Sequence, residues 1–179
     1  PEARYSNSGT TAIIPDVVAK LVKKNKVPLV VMIHHGNYLN APFWDFRQYR
    51  KVPFKATMKQ VLTAEQVQEM TIDEINTVIQ REMYYDDYKW QKENNIRIKE
   101  KFRADGLNKI LYKCPHCMAE GQTVGKGIHL TCEACGKKWE MTELGEMKAL
   151  EGETEFSHIP DWYEWERECV RQELLNGTY

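Results

Sequence analysis

Two cysteine pairs constrain this chain more than anything else in it: Cys114-Pro-His-Cys117 and Cys132-Glu-Ala-Cys135-Gly136. Two residues between thiols let one tight turn aim both sulfurs at a single point. Two such turns, fourteen residues apart and joined by a short hairpin, supply four thiolates in a tetrahedron. That is the shell of a structural Zn²⁺. The expected ligands are Cys114, Cys117, Cys132 and Cys135, with Zn²⁺ as the cofactor. Such a shell is closed to water and substrate, so it does no Lewis-acid chemistry. The same cysteines can be read as buried free thiols, as redox pairs, or as two disulfides. No thioredoxin-like sequence surrounds either pair, and disulfides need an oxidising compartment. His116 and His129 lie close enough to replace a cysteine, but four thiolates already complete the shell. Cys169 is unpaired and suits a helix face as a small apolar residue. With a thiolate site, it points to a reducing cytosol.

The 179 residues suffice for one moderate core and a small satellite domain. A net charge of −1 gives no global basic field, so nucleic acid is not an expected partner. No apolar run reaches bilayer-spanning length, and no signal peptide is visible. The expected location is cytoplasmic. The chain opens at Pro1 without a methionine, which reads as a trimmed start.

The first segment alternates helix and strand. Pro15 fits a first helical position, and Ile14, Val17, Val18, Leu21 and Val22 recur at helical spacing as one stripe. Lys20, Lys23 and Lys24 then form a solvated face, or one that meets a phospholipid surface. Val27 to Ile33 is a short, continuous, β-branched apolar run, which predicts a strand covered on both faces in a parallel sheet. It ends in His34-His35-Gly36-Asn37, where ligands of open α/β sheets sit. Both histidines are therefore candidates for either a structural or a functional role.

An aromatic loop, Ala41 to Trp44, and a basic stretch, Arg47 to Lys51, precede a second strand over Val52 to Leu62. Two capping boxes, Thr63-x-x-Gln66 and Thr71-x-x-Glu74, open two helices. Ile75, Val78, Ile79 and Met83 make the apolar face of the second. Tyr84, Tyr85, Tyr88 and Trp90 continue it as rings that pack on the sheet or meet a partner.

Residues 102–107 read as a linker into a ribbon of three short strands, around 110–112, 128–131 and 138–141. Bonds from thiolates to Zn²⁺ would supply on the order of 10 kcal/mol or more to a hairpin too small to fold alone. The tail, 160–176, reads as an amphipathic helix. Trp162, Trp165, Cys169 and Leu174 face inward, and Glu164, Glu166, Arg167, Glu168, Arg171 and Glu173 face water.

Pro1-Glu2-Ala3-Arg4-Tyr5-Ser6 resembles the third conserved block of the glycerolipid acyltransferases, F-P-E-G-T-R-S. Val27-Pro28-Leu29-Val30-Val31 resembles their fourth block, one helix later. With residues 94–106 and the ribbon, the chain is similar to a bacterial branch of 1-acylglycerol-3-phosphate acyltransferases. The fold this implies is mixed α/β: residues 1–106 as the C-terminal portion of the acyltransferase core, 107–150 as a small antiparallel zinc ribbon, and 151–179 as a C-terminal helical tail. The resemblance implies acyl transfer from acyl-CoA or acyl carrier protein to a lysophospholipid hydroxyl. Glu2 would organise the head-group pocket and Arg4 would bind phosphate through its guanidinium fork. It also implies peripheral contact with the cytoplasmic membrane face, to which Phe43 and Trp44 could contribute.

Arg4 stands one residue from the family's arginine, and the fourth block lacks its second proline. The family's H-x-x-x-x-D pair is missing: none of His34, His35, His116, His129 or His158 has an aspartate five positions on. The catalytic half is thus expected upstream of Pro1, with no catalytic residue in this chain. The competing class is a non-enzymatic ribbon that binds protein or nucleic acid through Lys113, Lys126, Lys137 and Lys138. A third class makes His34 and His35 catalytic themselves.

Overall fold

The structure is a computed structural model that describes residues 5–45 and 47–179. Glu2 and Arg4 lie outside the described residues. The chain is mixed α/β, with two small antiparallel sheets and a C-terminal helix. No described helix is long and apolar enough to cross a membrane.

Helix α1 (Val17–Asn25) begins after Asp16, so Pro15 precedes the cap. Its predicted stripe is split. Ile14, Ala19, Val18 and Val22 join a core with Leu62, Val67, Ile75 and Ile79, while Val17 and Leu21 are exposed. Lys23 is half-buried rather than free on a solvated face. Its ammonium donates to the carbonyls of Val67, Gln68 and Met70 at 3.1, 2.8 and 2.6 Å. These sit at the C-terminal end of α3 (Ala64–Glu69), where a cation satisfies orphan acceptors. Both capping boxes form, Thr63 with Gln66 and Thr71 with Glu74, the latter opening α4 (Ile72–Met83).

Strand β1 (Leu29–His35), which runs into the single turn α2 (Asn37–Asn40), corrects an expectation. It pairs antiparallel with β2 (Lys55–Leu62), and these two strands are the whole sheet. Met32 faces Met58 and His35 faces Lys55 across the ladder. Val31 is buried on the side that meets α4, whereas Val30, Met32 and Met58 are exposed. The uninterrupted apolar run gave no means of telling which neighbour covers the second face.

The second sheet has four strands in sequence order: β3 (Thr123–Lys126), β4 (His129–Cys132), β5 (Lys138–Met141) and β6 (Met147–Ala149). The stretch 110–112 is not one of them. A single 3₁₀ turn, Leu107–Lys109, drops Ile110 and Leu111 into the core instead. The fourth strand is β6, whose Met147 and Ala149 are buried around an exposed Lys148.

Residues 102–107 pack tightly onto this sheet. The amide of Ala104 donates to Gly127 (2.9 Å) and that of Gly106 to Gly125 (3.2 Å). A Cβ at Gly125 would collide with the Ala104 carbonyl and the Leu107 amide, so a side chain there would push the two segments apart. Arg103 is buried and donates through Nε to the Met141 carbonyl at 2.5 Å.

One core thus runs from Leu39, Trp44 and Val52 through Tyr88 and Ile98 into the four-stranded sheet and on to Ile159 and Trp162. Helix α6 (Ile159–Leu175) closes it: the Trp162 ring meets Trp139 edge-on at 5.0 Å, and its indole donates to the Lys113 carbonyl at 3.0 Å. Leu174 is exposed rather than inward.

Candidate metal centre and the adjoining cavity

The loop before β3 carries Cys114 and Cys117; the end of β4 and the turn after it carry Cys132 and Cys135. Each pair sits on one tight turn. The Met118 amide donates to the Cys114 carbonyl (2.9 Å), and the Gly136 amide to the Cys132 carbonyl (2.8 Å). The residue after each pair is left-handed, Met118 at φ 65° and Gly136 at φ 76°. Only the second turn has glycine for it.

All four sulfurs lie within 4.8 Å of one another, a group that could hold a metal ion. Cys114 and Cys135 are 3.8 Å apart, and Cys117 and Cys132 3.7 Å. Metal–sulfur bonds of about 2.3 Å at tetrahedral angles require sulfurs about 3.8 Å apart. The donor set therefore fits a tetrahedral thiolate-loving ion, the geometry of zinc or of iron. Backbone amides also aim at the sulfurs: His116 and Cys117 at Cys114, Ala119 at Cys117, Lys137 at Cys135. Such donors favour the thiolate form, although burial of Cys114 pushes its thiol well up.

The charges around the turns are satisfied. Lys113 is buried and pairs with Glu173 at 2.6 Å and Glu120 at 3.5 Å. Lys137 pairs with Glu155 at 2.5 Å. Glu166 is fully buried, not in water, and accepts the amides of Tyr112 (3.1 Å) and Lys113 (3.2 Å). Burial pushes its carboxyl up to about 8 against the pull of those amides. Its Oε1 has no partner. The sequence held a signal for this: Trp162, Glu166 and Glu173 share one face of α6 by i, i+4 and i+11 spacing.

Comparison with protein-family models, curated proteins and solved structures gave no match.

A cavity of about 480 Å³ opens at the C-terminal end of β1, lined by Ser6, Thr10, His34, Asn37, Tyr49 and Asp87 among others. Its floor is built by Asp87, the first residue of α5 (Asp87–Glu93), a residue that sequence reasoning missed. The Asp87 carboxylate accepts the Gly36 amide (2.8 Å), the Tyr38 amide (3.3 Å) and the Tyr85 hydroxyl (2.8 Å). Burial raises its pKa against those donors. His34 and His35 part company here. His35 points inward, bonded to Thr57 at 2.9 Å and packed on Tyr85 and Trp90. Burial lowers its pKa. His34 is exposed and lines the cavity. The rings of Tyr85, Tyr88 and Trp90 pack within the molecule, leaving only Tyr84 exposed.

Proposed function

We propose that the four thiolates hold a structural Zn²⁺, and that the ribbon it closes braces the acceptor-binding part of a glycerolipid acyltransferase. The observation that carries this is the cavity, where Ser6, the end of the P-E-x-x-x-S segment, meets His34 at the end of β1. Tyr5 and Ser6 of the first segment line this cavity, and the strand that contains Leu29 to Val31 of the second ends at it with His34. Hydroxyls, amides and aromatic rings dominate the lining, which suits a glyceryl group. Arg4 would supply the fork for its phosphate and Glu2 would hold the pocket in shape. The acyl donor would be acyl-CoA or acyl carrier protein, and the site would work at a membrane surface. The proton-abstracting histidine would come from polypeptide beyond these 179 residues. Turnover with acyl-CoA and lysophosphatidic acid by this chain alone is therefore not expected.

A ribbon working as a free binding module fits less well. Lys113 and Lys137, two of the four lysines available for phosphate, are engaged in ion pairs.

Titrating short-chain lysophosphatidic acid by calorimetry tests the head-group site. Saturable binding weakened at least tenfold by Arg4→Ala, and unchanged by Lys138→Ala, is expected; no saturable binding refutes it. Elemental analysis tests the metal separately. One zinc per chain, lost in Cys132→Ser, is expected, and a metal-free folded chain refutes it.

A further inference from the structure

We propose that the cavity at the end of β1 takes an alkylated ammonium, the cationic end of a small organic ligand. Its volume, about 480 Å³, is that of a small-molecule site. The described lining residues include Tyr38, Phe43, Tyr49 and Tyr85, and none of them is a lysine or an arginine. The face of an aromatic ring is electron-rich and attracts a cation. Beneath the rings lies the Asp87 carboxylate, 3% exposed. It is held by two backbone amides and one phenol, none of them cationic. The basic group that acts on it is His35, whose own pKa burial lowers. A buried carboxylate without a full counter-charge favours a ligand that brings one.

The direction of the hydrogen bonds separates this ligand from a sugar or an anion. Ser6 donates to the Thr10 carbonyl (2.7 Å), Thr11 to the Met83 carbonyl (2.7 Å), Tyr38 to the Asn7 carbonyl (2.6 Å) and Tyr85 to Asp87 (2.8 Å). The backbone amides of Gly9, Thr11, Tyr38 and Asn40 are also spent within the protein, and the Asn40 side chain donates to the Arg50 carbonyl. These groups therefore offer the cavity acceptor oxygens and ring surface. The donors left to it among them are the exposed side chains of His34, Asn37 and Tyr49. A sugar needs donors for its many oxygens, and an anion needs them more. An alkylated ammonium has no acceptor to satisfy. The inference goes beyond the lysophospholipid reading and stands without it, because the phosphate of that reading falls to Arg4, outside the described residues.

Calorimetry on the full zinc-loaded chain at pH 8 tests this with choline and with 3,3-dimethylbutan-1-ol, the same shape with carbon in place of the charged nitrogen. Saturable choline binding, at least tenfold tighter than that of the alcohol, is expected. Tyr49→Leu, at an exposed ring, should weaken choline at least fivefold, and Tyr49→Phe should keep it. Asp87→Asn should weaken it at least tenfold; if circular dichroism shows that variant unfolded, the two Tyr49 variants decide. Arg4→Ala, which weakens lysophosphatidic acid on the head-group reading, should leave choline within twofold, so that either reading can fail alone. The proposal is overturned by the absence of saturable choline binding, by equal affinity for the neutral alcohol, by affinity that follows Arg4 and not Tyr49, or by tighter binding of glucose or inorganic phosphate than of choline.

Discussion

The two sheets solve one problem in opposite ways. The four-stranded sheet is small, yet it buries Leu130, Trp139, Met141 and Met147 almost completely and gathers its charges into pairs. Trp139 meets Trp162, and the inward-facing Glu166 binds the Lys113 amide, so that α6 is held on it, while four sulfurs gather its turns at one point. The two-stranded sheet has no such brace. It buries one side on α4 and leaves methionine and valine bare on the other. A short sheet can thus be closed over its own core on both faces or keep one face bare. This chain contains both cases, with separate cores beneath them.

Removing the metal should separate the two most. Chelation, or Cys132→Ser, should cost the ribbon on the order of 10 kcal/mol and unfold the core around Trp139 and Trp162. The helices α1, α3 and α4 stand on the other core and should keep part of their far-ultraviolet signal. Loss of all helical signal in one step would show that the cores are not independent. Trp162→Ala comes next, at about 3–5 kcal/mol by denaturant titration, because it empties a fully buried site and strands the Lys113 carbonyl.

Glu166 makes a finer distinction, through pH. Its folded pKa of about 8 lies above the ordinary carboxylate value, so the folded state holds the proton more tightly than the unfolded chain. This contribution is fully present below about pH 4.5 and is lost as pH rises through about 8. Glu166→Gln cannot lose that proton. Denaturation of both proteins with zinc saturating should show the variant gaining on the wild type between pH 5 and pH 9; parallel curves would contradict the assignment. The smallest effects sit at the surface. Met118→Gly should stabilise by about 1 kcal/mol by relieving a left-handed non-glycine residue. Met58→Lys, on the bare face, should change stability by less than about 0.5 kcal/mol.

The contrast between the sheets also explains what could be read from the residues alone. The cysteine spacing, both capping boxes and the tail helix are local patterns, and each is realised because its partners lie within a few residues or on one face. The pairing of β1 was illegible because an apolar run records that a strand wants cover but not from which neighbour. By residue type Glu166 and Lys23 read as water-facing and Lys113 as a contact for a partner's phosphate. Their partners lie dozens of positions away, and only a three-dimensional arrangement reveals them. Asp87 was hidden for the same reason, its three donors coming from Gly36, Tyr38 and Tyr85.

Asp86, next to the cavity floor, caps α5 through the Tyr88 and Lys89 amides and also bonds His158 at the head of α6 at 2.9 Å. Thr10 bridges to the same aspartate, and Asn7 reaches Tyr163. Three stretches separated by more than seventy positions each therefore converge at one knot. During synthesis on a ribosome the early residues emerge long before the last helix. The cavity would then reach its final shape only after α6 has emerged, so that ligand competence waits on a helix more than seventy residues downstream of the cavity floor.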